Sequence, residues 1–384
     1  MSADPTGTSV LRGALRPFGT SIFSTITEQA MKHGAINLAQ GFPDFDPPDA
    51  LVEAAHEAMR AGHHQYAPSV GLLSLRQGIA KHQSLDYDPD TEITVTVGAT
   101  EAIVCTIQAL TEPGDEVVLV EPCYDLYPPA VAAAGCRARY VTTRFPDFRI
   151  DEDELAAACG PKTRMIVVNT PWNPTGRALS EDELLAVGRV AERYDAYVLA
   201  DEAYEHIVFD RHLPVASVPG CAGRTVTVSS ISKTLSATGW RLGWAMAPAH
   251  LTAAIRQVHQ FVTFDAVAPL QHAVSAMLAG SDDSYFLGLR KEYRERRDTL
   301  LGYLRRTDLE VLEPDGTYFV LGRCAGDDVE YCDELICTVG VAAIPASAFY
   351  ADRAAGRGLV RFAFCKQLDT LHQAGQRLVR HGSE

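Results

Sequence analysis

Short apolar segments alternate with helical stretches through the middle of the chain, and this alternation limits the possible folds more than any other feature. The clearest apolar segments are predicted strands at residues 93–97, 116–120, 164–168, 196–200 and 225–229. Several are apolar on both faces, as a strand must be when helices cover both sides of a parallel sheet. Predicted helices lie between them at 100–110 and 181–194, the second with Ser180 as its N-cap and Glu183 three residues later. We therefore expect an α/β fold with a mostly parallel central sheet.

The 384 residues are enough for about two domains. Residues 1–45 are rich in Gly, Pro and Thr, and we expect them to form an arm with little structure of its own and part of a small domain. Residues 46–283 contain the strand and helix alternation and are predicted to form one large domain. We expect a smaller α+β domain over 284–384. A long charged helix is predicted at 285–306, followed by shorter strands at 317–321, 341–344 and 359–364.

Composition argues against several classes of partner. The 34 Lys and Arg against 49 Asp and Glu give a net charge of −15, opposite in sign to a protein that binds a phosphate backbone. The nine cysteines include no C-x-x-C pair, no apolar run approaches the ~20 residues that span a bilayer, and the first residues lack the pattern of a signal peptide. His63 and His64 lack partner ligands at zinc spacing. We expect a reduced, cytoplasmic protein that binds no metal, membrane or nucleic acid.

A strand-to-helix junction provides the first candidate for a binding site. Gly98, Ala99 and Thr100 follow the predicted strand at 93–97 and begin a helix. Free amides at a helix N-terminus attract phosphate, and small residues let the backbone approach it. Taken alone, the motif fits an ordinary turn better.

Polar residues also follow two later strands, at the edge where open α/β sheets bind their ligands. Asn169 and Asn173 lie in an Asn-Thr-Pro-Trp-Asn-Pro-Thr-Gly segment, whose prolines restrict the backbone and allow a cis bond. Asp201 and Tyr204 follow the strand at 196–200. A buried carboxylate needs a cation nearby, and either a ligand or an arginine could provide it.

Lys233 is one of six lysines, against 28 arginines, and lies among small and hydroxyl residues just past the strand at 225–229. A lysine in such surroundings can have a lowered pKa and act as an amine nucleophile. Arg241, eight residues later, could bind an oxyanion through two hydrogen bonds. Either residue alone also has an ordinary surface explanation. In this order, however, the motifs meet the needs of pyridoxal phosphate: an amine, an acid, hydrogen-bond donors, an aromatic ring and a phosphate cup.

Five motifs carry a resemblance to a known family, and they lie at 37–45, 65–68, 173–176, 201–204 and 230–233. The sequence resembles the class I/II pyridoxal-phosphate-dependent aminotransferases of the aspartate aminotransferase fold, from about residue 18 to residue 365. It is most similar to kynurenine, glutamine and methionine aminotransferases and to some succinyldiaminopimelate aminotransferases.

The resemblance implies roles around the cofactor. Lys233 would form the internal aldimine with pyridoxal phosphate and move the α-proton, and Asp201 would keep the pyridine nitrogen protonated. Asn173 and Tyr204 would bind the phenolate oxygen, and Tyr124 would stack on the ring. The implied phosphate-binding residues are Gly98, Ala99, Thr100, Ser230 and Arg241, with Tyr66 from the second subunit of a homodimer.

The resemblance also implies how substrate binds. Arg361, in the 359–364 segment, would bind the α-carboxylate with help from Asn173 and the Gly41 amide. The apolar candidates for the side-chain pocket suit a methionine-like or aromatic substrate: Ile22, Tyr66, Trp172, Phe349 and, from a loop of the neighbouring subunit, Phe264. Asp265 in that loop would favour a basic side chain such as arginine, unless it caps the following helix or faces solvent.

The expected reaction transfers an amino group from an L-amino acid to a 2-oxo acid by a ping-pong mechanism, with methionine-like, aromatic, glutamine-like and basic donors all open. A cysteine-conjugate carbon–sulfur β-lyase would use the same Lys233, Asp201 and Arg361 and is the alternative. A non-catalytic effector-binding domain is a more remote one, because no basic helical segment precedes residue 18.

Overall fold

The computed structural model describes residues 11–381. Its helices are α1 Ile22–His33, α2 Asp49–Arg60, α3 Leu73–Lys81, α4 Gly98–Leu110, α5 Tyr127–Ala133, α6 Glu152–Ala158, α7 Glu181–Arg193, α8 Ile231–Thr234, α9 Ala249–Val262, α10 Ala268–Gly280, α11 Asp283–Leu304, α12 Asp328–Glu334 and α13 Leu368–His381. Its strands are β1 Ile36–Asn37, β2 Ile93–Thr96, β3 Glu116–Glu121, β4 Arg137–Thr142, β5 Thr163–Asn169, β6 Tyr197–Asp201, β7 Thr225–Ser230, β8 Gly243–Met246, β9 Glu310–Val311, β10 Phe319–Arg323, β11 Val341–Ala342, β12 Ile344–Pro345 and β13 Leu359–Ala363.

Seven strands form the central sheet, in the order β2-β8-β7-β6-β5-β3-β4. Strand β8 runs antiparallel to both of its neighbours, and the other pairs in the sheet are parallel. The predicted α/β class with a mostly parallel sheet is confirmed, and all five predicted strands lie in this sheet. Because β2, β3, β5, β6 and β7 run in the same direction, the segments that follow them meet at one edge.

Both faces of the sheet are buried, which explains the strands that are apolar throughout. In β3, Val117 and Leu119 join the core beneath α4 and α9, while Val118 and Val120 join the core on the opposite face, beneath α7. Successive side chains of a strand point to opposite faces, so each strand must supply apolar residues to two cores. Helix α7 begins at the predicted capping box, in which Ser180 and Glu183 each accept a hydrogen bond from the other's backbone amide.

A second sheet, in the order β12-β13-β10-β9, is antiparallel and packs against α11 and α13. The predicted long helix is present at Asp283–Leu304, and the strands predicted at 317–321 and 359–364 correspond to β10 and β13. The single strand predicted at 341–344 is instead two short strands, β11 and β12, of which β12 belongs to this sheet. Strand β1 pairs in parallel with β11, which connects the N-terminal segment to this region. The predicted domain boundaries at residues 45 and 283 stay predictions. Residues 1–10 of the predicted N-terminal arm and residues 382–384 of the predicted C-terminal domain lie outside the described residues.

The expectation that residues 1–45 have little structure of their own is wrong for Ile22–His33, which form α1. Ile26 and Ala30, one helical turn apart, are buried in the core beneath α7, and Ile22 packs partly against it. A helix of this length gains most of its stability from such packing, so its composition alone was a poor guide.

Within residues 11–381, no helix is both long and apolar enough to cross a membrane, and no group of three or more potential ligands could hold a metal ion. All nine cysteines, which lie in this range, are free thiols.

The packing of α13 on α11 supports the small sheet and can be tested at two glycines. A Cβ at Gly375 in α13 would lie 2.2 Å from the ring of Tyr303 in α11, while a Cβ at Gly302 would meet nothing within 4 Å. Gly375→Ala should lower the free energy of unfolding by about 1–3 kcal/mol, whereas Gly302→Ala should raise it by about 0.5–1 kcal/mol through helix propensity. Calorimetric melting temperatures would measure both, and a Gly375→Ala protein as stable as the Gly302→Ala protein would contradict this packing.

Candidate active site

A cavity of about 190 Å³ opens at the edge where the parallel strands end. It brings together eleven residues that the sequence predicted for the site: Gly41, Ala99, Thr100, Tyr124, Asn173, Asp201, Tyr204, Ser230, Lys233, Arg241 and Arg361. Strands β2, β3, β5, β6 and β7 of the large sheet and β13 of the small sheet each end at or carry part of this set. The cavity therefore lies where the two sheets face each other.

Lys233 lies in the single turn of α8, directly after β7, and faces the cavity between two tyrosine rings. Its Nζ is 5.5 Å from the ring centre of Tyr204 and 5.4 Å from that of Tyr318. Burial lowers the pKa of Lys233 to about 8; the guanidinium groups nearby act in the same direction, and the Asp201 carboxylate opposes them. The amine is thus available as a nucleophile closer to neutral pH than an ordinary lysine.

Asp201 is the last residue of β6 and is buried at the base of the cavity. The hydroxyl of Tyr127 donates to its Oδ2 at 2.6 Å, and the Ala203 amide donates to its Oδ1 at 3.2 Å. Burial raises the pKa of Asp201, and these two hydrogen bonds and the nearby Lys233 partly offset that effect. A carboxylate in this position is stabilised by a cation that enters the cavity.

Tyr127 is a site residue that sequence reasoning missed. It follows Tyr124 by three residues in the segment after β3, so its position at the same sheet edge was a signal for it. Asn169 was recognised only as part of a motif, and it holds that motif in place. Its Nδ2 donates to the Asp201 carbonyl oxygen at 2.7 Å, and its Oδ1 accepts from the Asn173 amide at 2.8 Å.

Arg361 projects from β13 into the same cavity with only 1% of its surface exposed. It donates to Asn173 Oδ1 and to the Ala39 carbonyl oxygen, both at 2.8 Å, and its guanidinium lies 3.9 Å from the ring centre of Phe319. Among the described residues its Nε has no hydrogen-bond partner. Burial lowers the pKa of Arg361 to about 10. A buried guanidinium bound only to neutral oxygens is a site for a carboxylate.

The N-terminus of α4 forms a narrow cup with Arg241. Gly98 has a φ of +71°, and a Cβ there would lie 2.6 Å from Arg241 Nη2. A Cβ at Gly243 would lie 2.6 Å from the Ala99 amide nitrogen. Arg241 also donates to Thr100 Oγ1 at 3.3 Å. Glycine at both positions keeps the backbone amides open, as phosphate binding requires.

Three predicted residues lie outside the cavity of their own chain. Tyr66 is 82% exposed, and its ring packs edge-on against that of Phe264 at 5.2 Å. Oδ2 of Asp265 accepts a hydrogen bond from the Ala67 amide at 2.7 Å. Asp265 therefore connects two loops. The sequence predicted that it would bind substrate, cap the following helix or face solvent, and none of these predictions includes this bond.

Three apolar candidates for the substrate pocket do not line the cavity. Trp172 is buried in the core and donates to the Pro122 carbonyl oxygen at 2.8 Å. Phe349 is buried in the same core, with its ring centre 5.1 Å from the Arg361 guanidinium and 6.1 Å from that of Phe23, and Ile22 packs partly against this core. Phe23 and Phe319 line the cavity instead. Adjacent helical residues point about 100° apart, so placing Ile22 or Phe23 requires the orientation of α1, which composition does not give.

The residues present fit pyridoxal phosphate. An amine with a lowered pKa, a buried carboxylate that lacks a full counter-charge, and a glycine-lined cup at a helix N-terminus face one cavity. These are the groups that the aldehyde, the pyridine nitrogen and the phosphate of that cofactor need.

Comparison with known proteins gives a consistent result. A family model described as aminotransferase class I and II matches residues 33–378. A protein of Mycobacterium tuberculosis named as a probable N-succinyldiaminopimelate aminotransferase is 45% identical, over 95% of this chain and 96% of that protein. The methionine aminotransferase of Escherichia coli is 41% identical, over 95% and 96%. A solved Escherichia coli structure, reported with a methionine aminotransferase function, superposes with a TM-score of 0.93 at 39% identity, covering 97% of this chain and all of that one.

The lowered pKa of Lys233, about 8, predicts how its reactivity depends on pH. In the cofactor-free protein, the rate at which an amine-reactive reagent modifies Lys233 should rise about tenfold per pH unit below that value and level off above it. Peptide mass spectrometry would follow the modification. Asp201→Asn removes a charge that raises the Lys233 pKa, so it should move the midpoint to lower pH. A midpoint near the ordinary lysine value of 10.5 would contradict the burial of this amine.

Proposed function

This chain belongs to aminotransferase class I and II and is a pyridoxal-phosphate-dependent aminotransferase acting on amino and oxo acids; from that premise, we propose that its donor is an L-amino acid with an uncharged, apolar side chain, methionine or an aromatic one. The proposed reaction has two ping-pong half-reactions, with a 2-oxo acid as acceptor. The observation that carries the assignment of roles is the convergence of Lys233, Asp201 and Arg361 on one cavity.

The proposed cofactor contacts follow from the geometry. Pyridoxal phosphate, when bound, supplies an aldehyde and a ring that accepts the electron pair left at the substrate α-carbon. Asp201 would hold a proton at the pyridine nitrogen, while Tyr127 and the Ala203 amide keep its two oxygens oriented. Asn173 and Tyr204 would donate to the phenolate oxygen, and Tyr124 would cover a face of the ring.

The phosphate would lie against the cup at the start of α4. Its proposed ligands are the backbone amides of Ala99 and Thr100 beside Gly98, the hydroxyl of Ser230 and the guanidinium of Arg241. A helix N-terminus and an arginine together favour a dianion there.

Substrate orientation is the proposed task of Arg361. Hydrogen bonds to Asn173 and to the Ala39 carbonyl oxygen fix the two Nη groups of Arg361, while its Nε has no partner among the described residues. A substrate α-carboxylate would therefore meet a rigid guanidinium. The Gly41 amide is an additional donor at the same wall of the cavity. With the carboxylate held, the amine of Lys233 would remove the proton at the α-carbon and return a proton during product formation.

The charge of the cavity favours an apolar side chain. The lysines and arginines that line it within residues 11–381 are Lys233, Arg241 and Arg361. Their proposed partners are the cofactor aldehyde, the cofactor phosphate and the substrate α-carboxylate. An N-succinyldiaminopimelate side chain would bring two further carboxylates, and among residues 11–381 of the same subunit no unassigned lysine or arginine lines the cavity to receive them. Phe23 and Phe319 supply apolar surface instead. A basic side chain is disfavoured as well, because one oxygen of Asp265 already accepts from Ala67.

A panel of donors tests this proposal. The absorbance of the loaded protein would be recorded with methionine, phenylalanine, kynurenine, glutamine, arginine and N-succinyldiaminopimelate, with Lys233→Ala as the control that cannot react. Methionine or an aromatic donor should convert the cofactor to its amine form with at least tenfold higher kcat/KM than N-succinyldiaminopimelate, because burying unpaired carboxylates costs more than the about 1.4 kcal/mol to which a tenfold ratio corresponds.

The same panel separates the alternatives. A preference for N-succinyldiaminopimelate or arginine would contradict the apolar assignment. If a cysteine conjugate gave pyruvate and ammonia faster than any donor was converted, the β-lyase reading would replace transamination as the main activity.

We also propose that the enzyme is a homodimer in which each subunit completes the site of the other. The support is an exposed apolar patch, here called the projection, formed by Tyr66, Phe261, Val262, Phe264 and Val267. Tyr66 and Phe264 lie on loops and Phe261 lies near the end of α9, and none of the three lines the cavity of its own chain. An exposed apolar patch of this kind marks an interface. Tyr66 would reach the phosphate of the neighbouring subunit.

Mixing two inactive variants tests the shared site. Lys233→Ala and Tyr66→Ala proteins, combined under conditions that exchange subunits, should recover about a quarter of the wild-type sites, since half of the dimers are mixed and each has one intact site. The matched control is a mixture of Lys233→Ala with Asp201→Ala, both in the same cavity, which should recover none. Equal recovery in the two mixtures, or a monomer by sedimentation, would contradict the proposal.

A further inference from the structure

A buried ion pair lies directly behind the proposed phosphate cup. Glu101 is in the first turn of α4, and His259 is near the end of α9; both side chains are buried, His259 with no exposed surface. His259 Nδ1 is 2.7 Å from Glu101 Oε1, and the hydroxyl of Thr263 donates to the same oxygen at 2.5 Å. The other carboxylate oxygen accepts from the Val97 amide, also at 2.5 Å.

The contacts indicate that His259 is an imidazolium. Its Nε2 lies 2.6 Å from the carbonyl oxygen of Ser69, which can only accept a hydrogen bond, so this nitrogen carries a proton. Its Nδ1 faces a carboxylate that already receives donors on both oxygens. Burial acts against both charges, yet these hydrogen bonds raise the pKa of His259 and lower that of Glu101. The pair is therefore charged on both sides.

The pair joins the cup to the projection. Three contacts lie along one loop. The ring of Tyr66 packs against that of Phe264, and the Ala67 amide donates to the Asp265 carboxylate. His259 Nε2 donates to the Ser69 carbonyl oxygen. The loop at 66–69 and the segment at 259–265 are thus joined. The bond between His259 and Glu101 then connects both to α4, three residues after Gly98.

The charge of Glu101 has a consequence for the cup. A carboxylate in the first turn of α4 would repel a phosphate dianion at the same helix end. The imidazolium of His259 cancels this repulsion.

We propose that His259 is a positioning residue for the cofactor phosphate, because its charge neutralises Glu101 behind the cup. This inference rests on the phosphate-binding role proposed for Gly98 to Thr100. It requires no contact between His259 and the cofactor.

Cofactor affinity provides the test, since it does not depend on turnover. Full-length wild-type, His259→Gln and Glu101→Gln/His259→Gln proteins would be stripped of cofactor and titrated with pyridoxal phosphate and with pyridoxal, which lacks the phosphate. His259→Gln should weaken the binding of pyridoxal phosphate on the order of tenfold or more, and that of pyridoxal by less than about threefold. The neutral double variant should bind pyridoxal phosphate within about threefold of wild type, because both charges are gone.

Glu183→Gln is the matched control. Glu183 is as buried as Glu101 and is paired with Arg177 at 2.9 Å, but it lies at the start of α7 on the opposite face of the sheet. Its variant should leave both affinities unchanged.

Three results would overturn the inference: equal weakening of both ligands by His259→Gln, no weakening of either, or a double variant that stays about tenfold weaker than wild type. If His259→Gln alone cannot be recovered folded, the double variant decides by the last criterion. A wild-type protein that binds neither ligand would instead refute the proposed function.

Discussion

The rest of the structure depends on one electrostatic constraint. Three charged side chains face one cavity, and the opposite charges there do not balance each other. Lys233, Asp201 and Arg361 lose most of their hydration there, which is unfavourable for each charge separately. Their mutual contacts offset only part of that loss, because Arg361 binds neutral oxygens. The remaining free energy comes from the apolar cores that hold the strands beneath them.

The two sheets divide this task. The parallel sheet brings the ends of β5, β6 and β7 to one edge, so that Asn169, Asp201 and Lys233 become neighbours although they are separated along the chain. The antiparallel sheet supplies Arg361 from β13. Phe319, on the adjacent strand β10, covers the guanidinium. An amino acid bound between the sheets would thus contact a rigid carboxylate site on one side and a reactive amine on the other.

Buried acids are held by fixed hydrogen-bond donors both inside the site and behind it. Asp201 is oriented by Tyr127, and Glu101 is balanced by His259, so that each buried acid near the proposed cofactor site has a donor fixed by packing. In the second case the same contacts extend to the projection. The physical link between the cup and the exposed aromatic side chains is a short chain of hydrogen bonds through the protein interior, which is less screened than a surface contact would be.

The sequence by itself determined the α/β class, most strand positions, the capping box at Ser180 and most of the polar and charged residues that line the cavity. These are local properties: periodicity, turn residues, and a lysine or acid placed directly after an apolar strand. It did not determine which aromatic residues line the cavity, because Phe23 and Phe319 depend on the rotation of α1 and on the pairing of β10 with β13. Nor did it indicate the bond from Tyr127 to Asp201, the pairing of Asp265 with Ala67, or the link from Glu101 to His259. Those contacts join segments far apart in the chain, and only the tertiary structure decides which distant donors meet which acceptors.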